Sequence, residues 1–120
     1  FLLFCNNDIK LLNNVVYGML NIFKTTPKVG TVGCRLHFED NTIQHDGIIC
    51  VIDKSNTIKL SHYGITTYYN HSINYRKLLG STAALLMIKK DNFVKCGLFN
   101  DNYLSWFWCM DFKYVYMFIE

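Results

Sequence analysis

Phe1-Leu2-Leu3-Phe4-Cys5-Asn6-Asn7-Asp8 opens the chain as an unbroken apolar run that closes on polar residues. A continuous apolar run this short suits a strand buried on both faces, as in a parallel sheet. The Asn-Asn-Asp close is chemistry that commonly caps a helix. A helical period follows, because Leu12, Val15, Val16, Met19 and Phe23 fall on one face of a helix. Gly18 lies within that period and Pro27 stops it. A buried strand that feeds an amphipathic helix predicts an α/β domain.

Working outward, residues 29–38 change period. Val32, Cys34, Leu36 and Phe38 alternate with Thr31, Gly33, Arg35 and His37, the pattern of a half-buried strand. Glu39-Asp40-Asn41-Thr42 is turn chemistry, residues 43–52 read as a second strand interrupted at Asp46-Gly47, and residues 53–56 as another turn. Residues 61–77 show no clean period and read as a loop of about 15 residues. Residues 83–88 form another buried-strand run. Asp91 is placed to cap a short helix through Phe93 and Val94, with Gly97 to end it. The tail is rich in aromatic residues, with Trp106, Phe107 and Trp108 in succession.

Residues 1–120 are expected to form a single domain. A hydrophobic share of 51% against 18% charged excludes a disordered chain. The net charge of +3 is scattered, with Arg76-Lys77 and Lys89-Lys90 as the adjacent basic pairs, so nothing resembles the basic stripe of a nucleic-acid binder. The five cysteines form no CxxC pair, which points to reduced thiols and a cytoplasmic protein rather than to zinc. No apolar run reaches the ~18 residues of a membrane span. The chain begins and ends within apolar runs, so it reads as a fragment of a longer protein.

Four stretches, taken in order, resemble the inverting family-2 glycosyltransferases of the GT-A fold, in particular their bacterial rhamnosyltransferase-like branch. The first is the opening run through Asp8, similar to the family's strand ending in Asp-x-Asp or Asn-x-Asp. The second is Val32-Gly33-Cys34-Arg35-Leu36 followed by Asp40-Asn41-Thr42-Ile43-Gln44-His45-Asp46-Gly47, similar to "VGxxL…DGTIQHxG" and the most specific of the four. The third, Ala83-Ala84-Leu85-Leu86-Met87-Ile88-Lys89-Lys90-Asp91-Asn92-Phe93, resembles "GACLLIRRxxF", and the fourth, Cys96-Gly97-Leu98-Phe99-Asn100-Asp101, resembles "GGFDE". The resemblance implies the second half of a catalytic domain. Its fold would be a partial, Rossmann-like mixed sheet with flanking helices, truncated at the N-terminal half that holds the nucleotide's base and ribose.

The same resemblance implies a transfer of a sugar from a nucleotide-sugar donor to a glycan or lipid-linked glycan acceptor, in bacterial surface polysaccharide synthesis. A Mg²⁺ or Mn²⁺ ion would neutralise the leaving diphosphate. Asp8 is the expected metal ligand and Asn6 a donor-binding neighbour; the bare spacing also suits a helix cap. Gln44 and His45 are expected to bind donor or acceptor, with a structural His45 as the alternative. Trp108 is expected to stack on the acceptor unless it belongs to the core. Asp111 matches the last acid of the family's "EDxD" run and is the expected general base, while Cys109 stands where that run carries its usual base. A degenerate, non-catalytic module for sugar binding or assembly is therefore the competing reading. His37, His62 and His71 read as surface or loop residues. The protein is expected in the cytoplasm, at the inner face of the membrane through peripheral association, and as a homo-oligomer.

Overall fold

The structure is a computed structural model, and it describes residues 1–64, 76–99 and 115–118, the backbone alone at 76–78 and 115–118. The elements are β1 (Leu2–Cys5), α1 (Val15–Thr25), β2 (Thr31–Cys34), β3 (Leu36–His37), β4 (Ile43–His45), β5 (Ile48–Ile52), β6 (Ile58–His62), β7 (Arg76–Leu78), β8 (Leu85–Ile88), α2 (Lys90–Lys95) and β9 (Val115–Phe118). The α/β expectation holds: a mixed five-stranded sheet in the order β1-β8-β2-β9-β7 carries the domain, with β3-β4 and β5-β6 as two small antiparallel hairpins.

Within the large sheet β2 and β9 run parallel, and the other pairs are antiparallel, so the sheet is not the mostly parallel one of a Rossmann-like unit. β8 lies between β1 and β2 and is antiparallel to both, with Leu2 opposite Ile88 and Thr31 opposite the same residue on the other side. β1 and β2 therefore point the same way, and their carboxyl ends emerge side by side.

β8 is the strand the sequence places best. Leu85, Leu86, Met87 and Ile88 are all buried, as a strand between two others and between two layers requires. Leu85 and Met87 pack with Val32, Cys34 and the α1 residues Met19, Ile22 and Phe23 in one core. The pleat sends Leu86 and Ile88 to the opposite face. Phe4, Phe93 and Phe99 pack ring against ring, with centroids 4.8–5.2 Å apart, and bring α2 against β1.

Four expectations are corrected. β1 is not buried on both faces: it pairs with β8 alone among the described residues, and Leu3 and Cys5 are exposed. The helix does not begin at Asn6–Asp8 or include Leu12, which is 62% exposed. Its N-cap is Asn14, whose side chain accepts from the Tyr17 amide. Residues 29–38 are not one alternating strand: Thr31, Val32, Gly33 and Cys34 are all buried, and the chain breaks at Arg35 into the short β3. Thr31 and Gly33 look polar-facing in the sequence, yet they are small enough to lie beneath neighbouring chain. Asp91 lies within the first turn of α2 and does not cap it; Lys89 holds that place. Gly97 ends the helix at φ 85°, as expected.

The two turns follow their chemistry. Asp40 accepts from the amide and hydroxyl of Thr42, and the hydroxyl bond foremost holds its carboxyl below the usual range. Asp53 accepts from the amide and hydroxyl of Ser55 and from the amide of Thr57, and it pairs with Lys59, the largest of the influences that lower its carboxyl. Asn41 and Asn56 take the left-handed conformation at φ 64° and 61°. His62, expected in a loop, is the last residue of β6, and Arg76 and Lys77 belong to β7.

Candidate functional site

The emerging ends of β1 and β2 open into a cleft of about 1280 Å³. One wall is the loop between β1 and α1, which contributes Asn6 and Asp8. The β3-β4 hairpin contributes Gln44 and His45, and His62 of β6 and Thr82 line the cleft as well. Ligands of open α/β sheets bind at such strand ends, where backbone groups are free to turn outward. The amide of Asn6 donates to the carbonyl of Ala84 at 2.8 Å, which fixes where the chain leaves β1. Its side chain and that of Asp8 are exposed to the cleft.

On β4, alternation divides two neighbours. Gln44 is exposed and His45 is 2% exposed. His45 Nδ1 lies 2.7 Å from His62 Nδ1, with the rings nearly perpendicular. His45 Nε2 accepts from the backbone N–H of Thr82 at 3.1 Å, with the Ser81 hydroxyl at 3.5 Å. Burial first, and then the charge His62 can carry, pushes the His45 pKa down to about 4, so the ring is neutral at physiological pH. Both ring nitrogens are engaged by the protein, and His45 shapes the cleft through His62 and Thr82.

Arg35, which lines the cleft, and Asp46 form an ion pair at 2.8 Å with side chains 4% and 2% exposed. Arg35 directly follows β2 and Asp46 directly follows β4, so the pair ties the central sheet to the small hairpin. Two glycines permit this joint. Gly47 has φ 105°, a conformation that L side chains rarely adopt. Gly33 lies so near Ser81 that an added Cβ would stand 1.9 Å from its hydroxyl oxygen and 2.6 Å from its Cβ. That close approach puts the Ser81-Thr82 segment within reach of His45.

Of the residues singled out in the sequence, Asn6, Asp8, Gln44 and His45 thus line one cleft. Trp108 and Asp111 lie outside the described residues, as do Trp106, Cys109 and His71. Among the described residues no group of three or more His, Cys, Asp or Glu is placed to hold a metal ion, and Asp8 is the carboxylate nearest in sequence to the end of β1. His37 sits on β3 with Nδ1 3.0 Å from the Phe38 carbonyl. The reading missed Arg35, Asp46, His62 and Thr82. No local spacing could reveal them, since the partners are 11 to 37 residues apart. Among the described cysteines, Cys5, Cys50 and Cys96 are free, exposed thiols, and Cys34 is buried. No helix among the described residues is long and apolar enough to cross a membrane.

Comparison with known proteins finds a curated relative in the O-antigen biosynthesis protein RfbC of Myxococcus xanthus, 29% identical over 105 residues. The match covers 85% of this chain and 8% of the relative, so the chain spans a small part of that protein's length. No protein-family profile matches the chain, and no solved structure matches it.

Proposed function

We propose that this chain is part of a nucleotide-sugar glycosyltransferase that works in bacterial surface polysaccharide synthesis, and that its cleft holds the donor. The observation that carries this reading is the convergence of Asn6, Asp8, Gln44 and His45 on one cleft at the carboxyl ends of β1 and β2. Those residues come from two separate motifs of the resemblance to family-2 glycosyltransferases. The likeness to an O-antigen biosynthesis protein supports the pathway. The sheet, with β1 and β2 aligned about an antiparallel β8, is compatible with a portion of a GT-A domain.

The donor set fits a hard divalent cation carried in with its substrate. Mg²⁺ and Mn²⁺ commonly take one or two protein carboxylates and complete their shell with phosphate oxygens and water. Asp8 would supply the carboxylate, with the Asn6 amide oxygen or N–H beside it. When bound, the ion would neutralise charge on the leaving diphosphate. Asn6 and Gln44 would orient the donor by hydrogen bonds. Asp111 would take the proton of the acceptor hydroxyl as its oxygen bonds to the anomeric carbon and the bond to the diphosphate oxygen breaks. Trp108 would stack on the acceptor sugar.

The test is donor hydrolysis and transfer by the full-length polypeptide carrying this chain, against a panel of nucleotide sugars with Mg²⁺ or Mn²⁺. Turnover that falls by about 10²–10⁴ in Asp111→Asn, with donor affinity retained, is the expected result. Donor binding without transfer would favour the degenerate module, to which Cys109 at the usual base position points. Neither binding nor turnover with any nucleotide sugar would overturn the proposal.

A further inference from the structure

The wall between β1 and α1 is pinned by one side chain. Ile9 is partly buried and packs against the core that α1 makes with β2 and β8, while its neighbours Asp8 and Lys10 are exposed. All three line the cleft. Anchoring Ile9 fixes the backbone on either side of it, so a carboxylate and an ammonium leave the same fixed stretch of wall. The lysine and arginine side chains of the lining are Lys10 and Arg35. Arg35 is 4% exposed, and its guanidinium is met by Asp46. The ion pairs among the described residues are Arg35–Asp46 and Lys59–Asp53, and they include neither Lys10 nor the cleft carboxylates Asp8 and Glu39. The cleft therefore holds an exposed, unpaired ammonium two residues from Asp8.

We propose that Lys10 is a ligand-contacting residue of the cleft, whose ammonium meets the diphosphate oxygens of the donor. The inference rests on the reading of the cleft as a donor site. It adds a contact from outside the motifs that suggested that reading. A divalent ion held by Asp8 has part of its charge offset by that carboxylate, and the diphosphate gains negative charge as the sugar leaves. Without an ion, Asp8 repels the diphosphate outright. Lys10 supplies charge of the needed sign at the same place in either case. A lysine ammonium binds phosphate as a point charge, so it does not demand one orientation of the oxygens.

Calorimetric binding of UDP, GDP and dTDP to the full-length polypeptide, with and without Mn²⁺, tests it. Lys10→Met keeps most of the length of the side chain and removes its charge. It is expected to weaken nucleoside diphosphate binding about tenfold at low ionic strength, the scale of one hydrogen bond to a charged group. The loss should remain when Mn²⁺ is left out, which separates Lys10 from Asp8. It should shrink at about 1 M salt, where the screening length is about 3 Å. Lys10→Arg, which keeps the charge, should recover most of it. Unchanged affinity in a folded Lys10→Met protein, with wild-type binding intact, overturns the role of Lys10 and leaves the donor site standing. So does a loss that neither salt reduces nor Lys10→Arg recovers. No binding of these nucleotides by the wild type overturns both.

Discussion

The guanidinium of Arg35 meets the carboxylate of Asp46 at 2.8 Å, both side chains nearly sealed from solvent at the edge of the cleft that Arg35 helps to line. Removing one member of such a pair strands the other charge in a poor solvent, which costs about 3–5 kcal/mol. Arg35→Met and Asp46→Leu are each expected to destabilise by that amount in urea unfolding. The double variant should lose clearly less than the two single losses added together, since it removes both charges of the pair at once. Additive losses would mean that the two groups do not act as a pair.

Gly33 is the second structural test. A Cβ there would stand 2.6 Å from the Ser81 Cβ, so rotating the hydroxyl away does not relieve the clash. Gly33→Ala should cost about 1–3 kcal/mol, as for other overpacked sites. Adding Ser81→Gly should return part of that loss despite introducing a flexible residue. A Gly33→Ala protein as stable as the wild type would show that the Ser81 segment moves aside freely.

His45 predicts a pH dependence of stability. Its folded pKa of about 4 lies below the ordinary 6.5, so the unfolded chain binds the proton more readily. The contribution is fully present above pH 6.5 and is lost as the pH falls from 6.5 toward 4, below which it changes no further. Its size is on the order of 3 kcal/mol. Urea midpoints measured across that window should fall with acid in the wild type and flatten in His45→Gln. An equally steep fall in the variant would place the titrating group elsewhere.

Much of this framework was legible beforehand, and the parts that were not have physical causes. Met19 and Phe23 announced α1 by their period, and Leu85 to Ile88 announced a strand buried on both faces. The apolar Phe1-Leu2-Leu3-Phe4-Cys5 carries the same signal, yet β1 has a neighbour on one side only among the described residues. Hydrophobicity reports affinity for a core and says nothing of a strand's place in the order. Thr31 and Gly33 misled for the converse reason, since small residues are buried where chain segments approach closely. Asp8, Gln44 and His45 stand out in the sequence because the two motifs that hold them are local, and the fold brings them to one cleft. The Arg35–Asp46 and His45–His62 pairs arise from distant segments brought together by folding, and a single sequence holds no record of such contacts.

Asp8 carries the prediction closest to function. It is exposed, so Asp8→Asn should change stability by less than about 0.5 kcal/mol. In the full-length polypeptide the same change should weaken Mn²⁺-dependent nucleoside diphosphate binding at least tenfold, leaving any metal-independent binding nearly as it was. Calorimetric titration with and without Mn²⁺ separates the two. Undiminished metal dependence in the variant would remove Asp8 from the proposed site.

The pairing of Leu2 with Ile88 also sets a timetable for synthesis. β1 leaves the ribosome before β8, the strand that pairs with it, which emerges only after the helix and both hairpins. At 5–20 residues per second, the wait is roughly 4–17 s. Throughout it Phe1-Leu2-Leu3-Phe4-Cys5 is a sticky ribbon without its β8 partner, as apt to bind a holdase chaperone as to join another nascent chain. The carboxyl end of that ribbon is also one lip of the cleft, so the cleft forms only once β8 has been made.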